Sequence, residues 1–200
     1  MKRSTSLIIA LVICLAMPIG SMGAGDSAPA KAKLCVACHG ADGNSVSDEF
    51  PSLAGQVPGY IAAQLALFKS GTRKNAIMAG MAAPLSLTDM AELDAYYSSK
   101  PLKSVSVPED ELATAVRGEK LYRGGLKALG IAPCMACHGP AGRGIPSKYP
   151  RLAGQHPAYL ERQLLAFKSK TRLHKAMNQI AFLLAPEQIR EISLYVSALK

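Results

Sequence analysis

The chain has 200 residues, with 23 Lys/Arg against 14 Asp/Glu for a formal charge of +9, no tryptophan and only 6% aromatic residues. Past the N-terminus there is no run of about 18 apolar residues, which excludes a membrane-spanning helix and makes a soluble mature chain the expectation. The length suggests one or two domains, and the aromatic content is thin material for two cores.

The chain opens Met1-Lys2-Arg3, runs apolar from Leu7 to Met17 and ends that stretch in small residues, Gly20-Ser21-Met22-Gly23-Ala24. A basic start, a short apolar run and small residues before a cleavage point mark residues 1–23 as a secretory signal peptide. Cys14 follows Ile13, where a lipidation site wants Gly, Ala or Ser, so no lipid anchor is expected. Export leads to an oxidising compartment, where disulfides are permitted. The four remaining cysteines, Cys35, Cys38, Cys134 and Cys137, all belong to two hexads, CVACHG at 35–40 and CMACHG at 134–139.

The hexads are part of a longer repeat. At an offset of 99 residues, with no gap, 26 of the 66 pairs between 35–100 and 134–199 are identical. PSLAGQ (51–56) falls on PRLAGQ (150–155), Tyr60 on Tyr159, Phe68-Lys69-Ser70 on Phe167-Lys168-Ser169, Thr72-Arg73 on Thr171-Arg172, and Tyr96 on Tyr195. We therefore expect an N-terminal domain over 24–100, a proline-bearing linker over 101–108 and a C-terminal domain over 109–200.

Each copy predicts the same elements. A short helix carries the hexad, and an irregular Gly/Ser/Pro segment runs through LAGQ. A helix follows over 58–71 or 157–170, with Pro58 or Pro157 as its first residue and Gly71 as a stop in copy one. A methionine-bearing loop leads to a closing helix, whose apolar face is Met90, Leu93 and Tyr97 in copy one and Ile189, Ile192 and Val196 in copy two. Copy two adds EDELATAVRGEKLYRGG after Pro108, of helix-forming composition. No strand-like alternation stands out. The expected fold is all-α, two tandem helical domains.

C-x-x-C-H reads as a c-type haem attachment site. Each thiol adds across one vinyl group, the two-residue gap spaces the sulfurs along a helical turn, and the next side chain, His39 or His138, is aimed at the iron. A redox dithiol wants a βαβ context and a zinc ribbon wants its second knuckle about 15–20 residues on; neither is present. A disulfide within either C-x-x-C leaves both histidines unexplained. Two covalently bound haem c groups are expected, and each supplies the core that the sparse aromatics do not.

The second axial ligand decides the chemistry, since His/Met ligation raises the potential and leaves no open iron position. Copy one offers Met78, Met81 and Met90. Copy two offers Met177, with His156 and His174 as rivals. Met78 and Met177 each follow their histidine by 39 residues, whereas Met81, Met90, His156 and His174 have no like counterpart in the other copy. Met78 and Met177 are the expected ligands, Met81 remaining the rival in copy one. Pro51 and Pro150 are candidates to accept the other histidine N–H. Tyr60, Tyr159, Arg73 and Arg172 are candidates for haem propionates or for ordinary surface roles.

The order C-x-x-C-H, P-x-L-A-G-Q, F-K-S-x-T-R, methionine and a closing helix with tyrosine, given twice behind a signal peptide, resembles the dihaem cytochrome c4 family over essentially the whole mature chain. The resemblance implies a periplasmic electron carrier, not an enzyme, with two cytochrome c-like domains in pseudo-twofold relation. It also implies propionates facing each other across the interface and delivery of electrons to a terminal oxidase. An electron-accepting subunit of a flavocytochrome sulfide dehydrogenase-like complex is the alternative, and a catalytic dihaem enzyme is disfavoured because no spare cysteine or vacant ligand position is evident. Charge predicts the docking face. Residues 24–107 hold seven Lys/Arg against seven Asp/Glu, while residues 108–200 hold fourteen against seven. An acidic redox partner is expected on the C-terminal half, with nucleic acid not expected and peripheral membrane association left open.

Overall fold

The computed structural model describes residues 28–200; the signal peptide and Cys14 fall outside them. No strands form among the described residues, only isolated bridges such as Leu126 to Ile131. A 3-10 turn (Ala30–Leu34) leads into α1 (Val36–His39), then α2 (Tyr60–Lys69), α3 (Ala76–Ala82) and α4 (Leu87–Ser98). The second half follows with α5 (Leu112–Gly124), α6 (Met135–His138), α7 (Pro157–Lys168), α8 (Lys175–Leu183) and α9 (Pro186–Ser197). Residues 101–107 form no helix, and a 3-10 turn at Glu109–Glu111 starts the second half.

Two separate cores form. Ile61, Leu65 and Phe68 of α2 pack on Met90, Leu93 and Tyr97 of α4. Leu160 of α7 packs on Ile189, Ile192 and Val196 of α9, with Tyr122 of α5. The apolar faces expected for the closing helices are therefore the buried ones. Ser86 caps α4 by accepting from Asp89 N at 3.0 Å, while the Asp89 carboxylate accepts from Ser86 N at 2.8 Å. Copy two replaces this cap with Pro186 in the first turn and the Gln188 side chain on Ala185 N.

Two expectations are corrected: the methionine segments expected as loops form the short helices α3 and α8, and one helix boundary moves. Pro157 begins α7, but Pro58 lies outside α2. Gly59 takes φ +89°, so the chain turns there and the helix starts at Tyr60. The buried Asp94 carboxylate then accepts from Gly59 N (2.7 Å), Ile61 N (2.8 Å) and Ala62 N (3.2 Å), satisfying donors that a helix start leaves open. Copy two has Ala158 and Ser193 at these positions, so neither the turn nor the carboxylate cap is available.

The extra helix α5 crosses α9 at Gly118. A Cβ there would lie 1.9 Å from the Glu191 carbonyl oxygen. Backbone does not move aside as a side chain does, so Gly118→Ala must push the helices apart. The expected loss is about 3 kcal/mol, at the upper end of ordinary overpacking. Thermal unfolding of the C-terminal domain should shift down by on the order of 15 °C, with the N-terminal domain unmoved.

Candidate functional site

Each hexad forms one turn of helix, with the second cysteine and the histidine on consecutive residues of α1 or α6. Neither C-x-x-C is bridged by a disulfide, so both sulfurs of each pair are available for haem attachment. Before haem attachment, burial raises the Cys35 thiol and pushes Cys134 up to about 11. Among the described residues no group of three or more His, Cys, Asp or Glu is placed to hold a metal ion by itself.

The histidines are buried, His39 at 7% exposure and His138 at 8%. The expected proline partners receive them: His39 Nδ1 lies 2.7 Å from Pro51 O, and His138 Nδ1 lies 3.0 Å from Pro150 O. A carbonyl only accepts, so Nδ1 carries the proton and Nε2 is the nitrogen with a lone pair to bind. Burial lowers both imidazoles' pKa against the opposing effect of the carbonyl bond, keeping the rings neutral. Two unbridged thiols beside a neutral, fixed imidazole fit the attachment and ligation of a haem.

The methionines occupy different surroundings. Met78 is half-buried and packs against the first core, and Met177 is half-buried in α8. Met90 is 2% exposed inside that core, and Met81 is 43% exposed. Met78 and Met177 are each the third residue of their helix, and the N-cap side chain lands on the methionine itself. Asn75 Oδ1 accepts from Met78 N at 2.9 Å, and His174 Nδ1 accepts from Met177 N at 3.2 Å. The rival histidines are thus engaged elsewhere, since His156 Nε2 donates to Ser45 O across the domains at 3.0 Å. Lys69 and Lys168 of the F-K-S motif close the methionine segments by donating to Leu85 O and Leu184 O.

Tyr60, Tyr159, Arg73 and Arg172 meet in one cluster between the domains. Arg73 donates to Gln64, Gln163 and Tyr159 OH; Arg172 donates to Gln163, Gln64 and Tyr60 OH, the same set exchanged. Each guanidinium also stacks 4.5 Å over Phe68 or Phe167. The glutamines of LAGQ cross the same interface, Gln56 binding the Arg151 backbone and Gln155 the Ser52 backbone. Sequence reasoning missed Gln56, Gln155, Gln64 and Gln163. Their signal was identity of a polar residue at the same place in both copies. It also missed Tyr122 and the hydroxyl role of Tyr97; these buried tyrosines lie beside Cys134 and Cys35 and hydrogen-bond Gly139 O and Ala32 O.

The cytochrome c family model matches residues 28–99 and again 115–200. Cytochrome c4 of Pseudomonas aeruginosa is 40% identical over 200 residues, covering 96% of this chain and 98% of that protein. A thiosulfate dehydrogenase electron acceptor of Thiomonas intermedia is 36% identical over 176 residues, covering 86% and 81%. The crystal structure of reduced cytochrome c4 from Pseudomonas stutzeri superposes with a TM-score of 0.80 at 37% identity, covering 85% of this chain and 95% of that one. The likeness runs through both halves and leaves neither hexad out. The chain belongs to the dihaem cytochrome c4 family, electron carriers with a covalently bound haem c in each of two cytochrome c domains.

Proposed function

We propose that His39 and Met78 hold one iron and His138 and Met177 the other, in a periplasmic carrier that passes electrons between redox proteins. The observation that carries this reading is the duplicated arrangement: a buried imidazole fixed by a proline carbonyl, and a methionine whose own N–H is capped. Bound haem supplies a one-electron couple at iron. His39, Met78, His138 and Met177 would hold the irons, and the Pro51 and Pro150 carbonyls and the Asn75 and His174 caps would keep those ligands in place between oxidation states. We place the domains at 24–100 and 109–200, joined by 101–108 and preceded by a cleaved signal peptide. No helix among the described residues is long and apolar enough to cross a membrane.

The partner is proposed to be acidic, a terminal oxidase being the expected acceptor. The likeness to a thiosulfate dehydrogenase electron acceptor favours a second reading, in which this chain takes electrons directly from a dehydrogenase. Co-purification with a dehydrogenase separates the two. A redox titration under carbon monoxide tests the common core: two one-electron steps unaffected by the gas are expected, and a gas-dependent spectrum would mean an open iron.

Charge also orders the two steps. The C-terminal half carries seven positive charges more than the N-terminal half, and positive surroundings favour the reduced iron. One unit charge at ~15 Å and an effective dielectric near 40 contributes roughly 0.5 kcal/mol, about 25 mV for one electron. The haem on His138 should therefore have the higher potential, and association with an acidic partner should slow as salt rises. Haem-resolved NMR during the titration checks the order, and a higher potential at the His39 haem reverses it.

A further inference from the structure

The peptide group that fixes each histidine is itself held by the other domain. Pro51 O accepts from His39 Nδ1–H at 2.7 Å, and the N–H of the same peptide, that of Ser52, donates to Gln155 Oε1 at 2.9 Å. Gln155 Nε2 returns a bond to Ser52 O at 2.9 Å. The mirror set is complete: Pro150 O accepts from His138 Nδ1–H at 3.0 Å, Arg151 N donates to Gln56 Oε1 at 2.7 Å, and Gln56 Nε2 donates to Arg151 O at 3.2 Å. Both glutamines are buried, and each oxygen accepts a further bond, from Val57 N or His156 N. Every polar atom of the two amides is therefore engaged on the relay or beside it.

A peptide unit is conjugated, so an acceptor on its N–H shifts electron density towards its carbonyl oxygen. Hydrogen bonds in such a chain strengthen one another in a low-dielectric interior. A more negative Pro51 oxygen draws the Nδ1 proton and makes Nε2 a stronger electron donor, which favours ferric iron. We propose that Gln155 is a positioning residue for the His39 haem and Gln56 for the His138 haem, so that each domain lowers the other's potential through the peptide behind its histidine. The inference rests on the two histidines being iron ligands.

A plain staple between domains would act differently. Loosening the interface admits water, which favours the ferric charge and lowers a potential, whereas breaking the relay raises it. In the holoprotein, Gln155→Leu should raise the potential of the His39 haem by about threefold in equilibrium constant, roughly 30 mV at 59 mV per tenfold. The His138 haem should stay unmoved, and the His39 Nδ1–H resonance should shift upfield. Gln56→Leu should do the reverse. Arg162→Ala is the control, since Arg162 bonds the backbone of Asp48 and Glu49 across the interface without touching the relay; it should not raise either potential. If Gln155→Leu does not fold, Gln155→Glu decides: ionised or protonated, it keeps an oxygen on Ser52 N–H, so the Nδ1–H resonance should hold or move downfield, and an upfield move overturns the relay. A lowered, unchanged or equally shared potential in Gln155→Leu also overturns it. A normal ferric sulfur-to-iron band in the unsubstituted protein leaves the ligation itself standing whatever those variants do.

Discussion

Met177→His should lower the potential of one haem by on the order of 0.1–0.3 V and leave the other in place, well inside the ~0.8 V that axial ligands command. Thioether sulfur is a weak donor that favours ferrous iron, while imidazole is a stronger donor that favours ferric. Met177 is the third residue of α8, with its backbone fixed by the His174 cap and the helix end fixed by Lys168 on Leu184 O. A side chain replaced there starts from the same backbone position, so imidazole can reach where sulfur did. The redox titration should show one step displaced and one retained. Two displaced steps, or none, would assign the ligand elsewhere.

Cys134→Ala combined with Cys137→Ala should remove one haem and unfold the C-terminal domain, while the N-terminal domain keeps its haem. The C-terminal core is a single cluster of Tyr122, Ile131, Leu160, Leu184, Ile189, Ile192 and Val196. Seven buried side chains are a small core for a domain of this length, and a covalently held apolar macrocycle would add the burial that such a core lacks. Large apolar side chains are also left in the open, with Leu173 at 62% and Phe182 at 61% exposure. Limited proteolysis checks this directly: rapid cleavage within 109–200 and a protected 28–100 fragment bearing haem are expected. A compact, resistant C-terminal half without haem would show that α5, α7 and α9 suffice alone.

The all-α class and both hexads were legible because they lie within one continuous stretch or recur at a fixed offset. The methionines needed the repeat, because nothing local separates Met78 from Met81; the structure then places Met81 on an exposed surface and Met90 inside the core. The α2 start leaves no local sign because its determinants are split: Gly59 supplies the turn and Asp94, on α4, supplies the cap. Residues so far apart in sequence leave no local pattern. The interface glutamines were harder still. Their partners are backbone atoms of the other domain, and backbone has no identity in a sequence. Arg73 and Arg172 were singled out, but their mutual exchange of Tyr and Gln partners follows only from how the two domains face each other.

The assignment of one histidine and one methionine to each iron is tested most directly by the ferric near-infrared sulfur-to-iron band. It should be measured in the unsubstituted holoprotein, in Met78→Ala and in Met177→Ala. The full band should appear in the first and about half of its intensity in each variant, with that variant's ferrous form now binding carbon monoxide at one haem. A band unchanged in either variant, or absent from the unsubstituted protein, would contradict methionine ligation at the positions given.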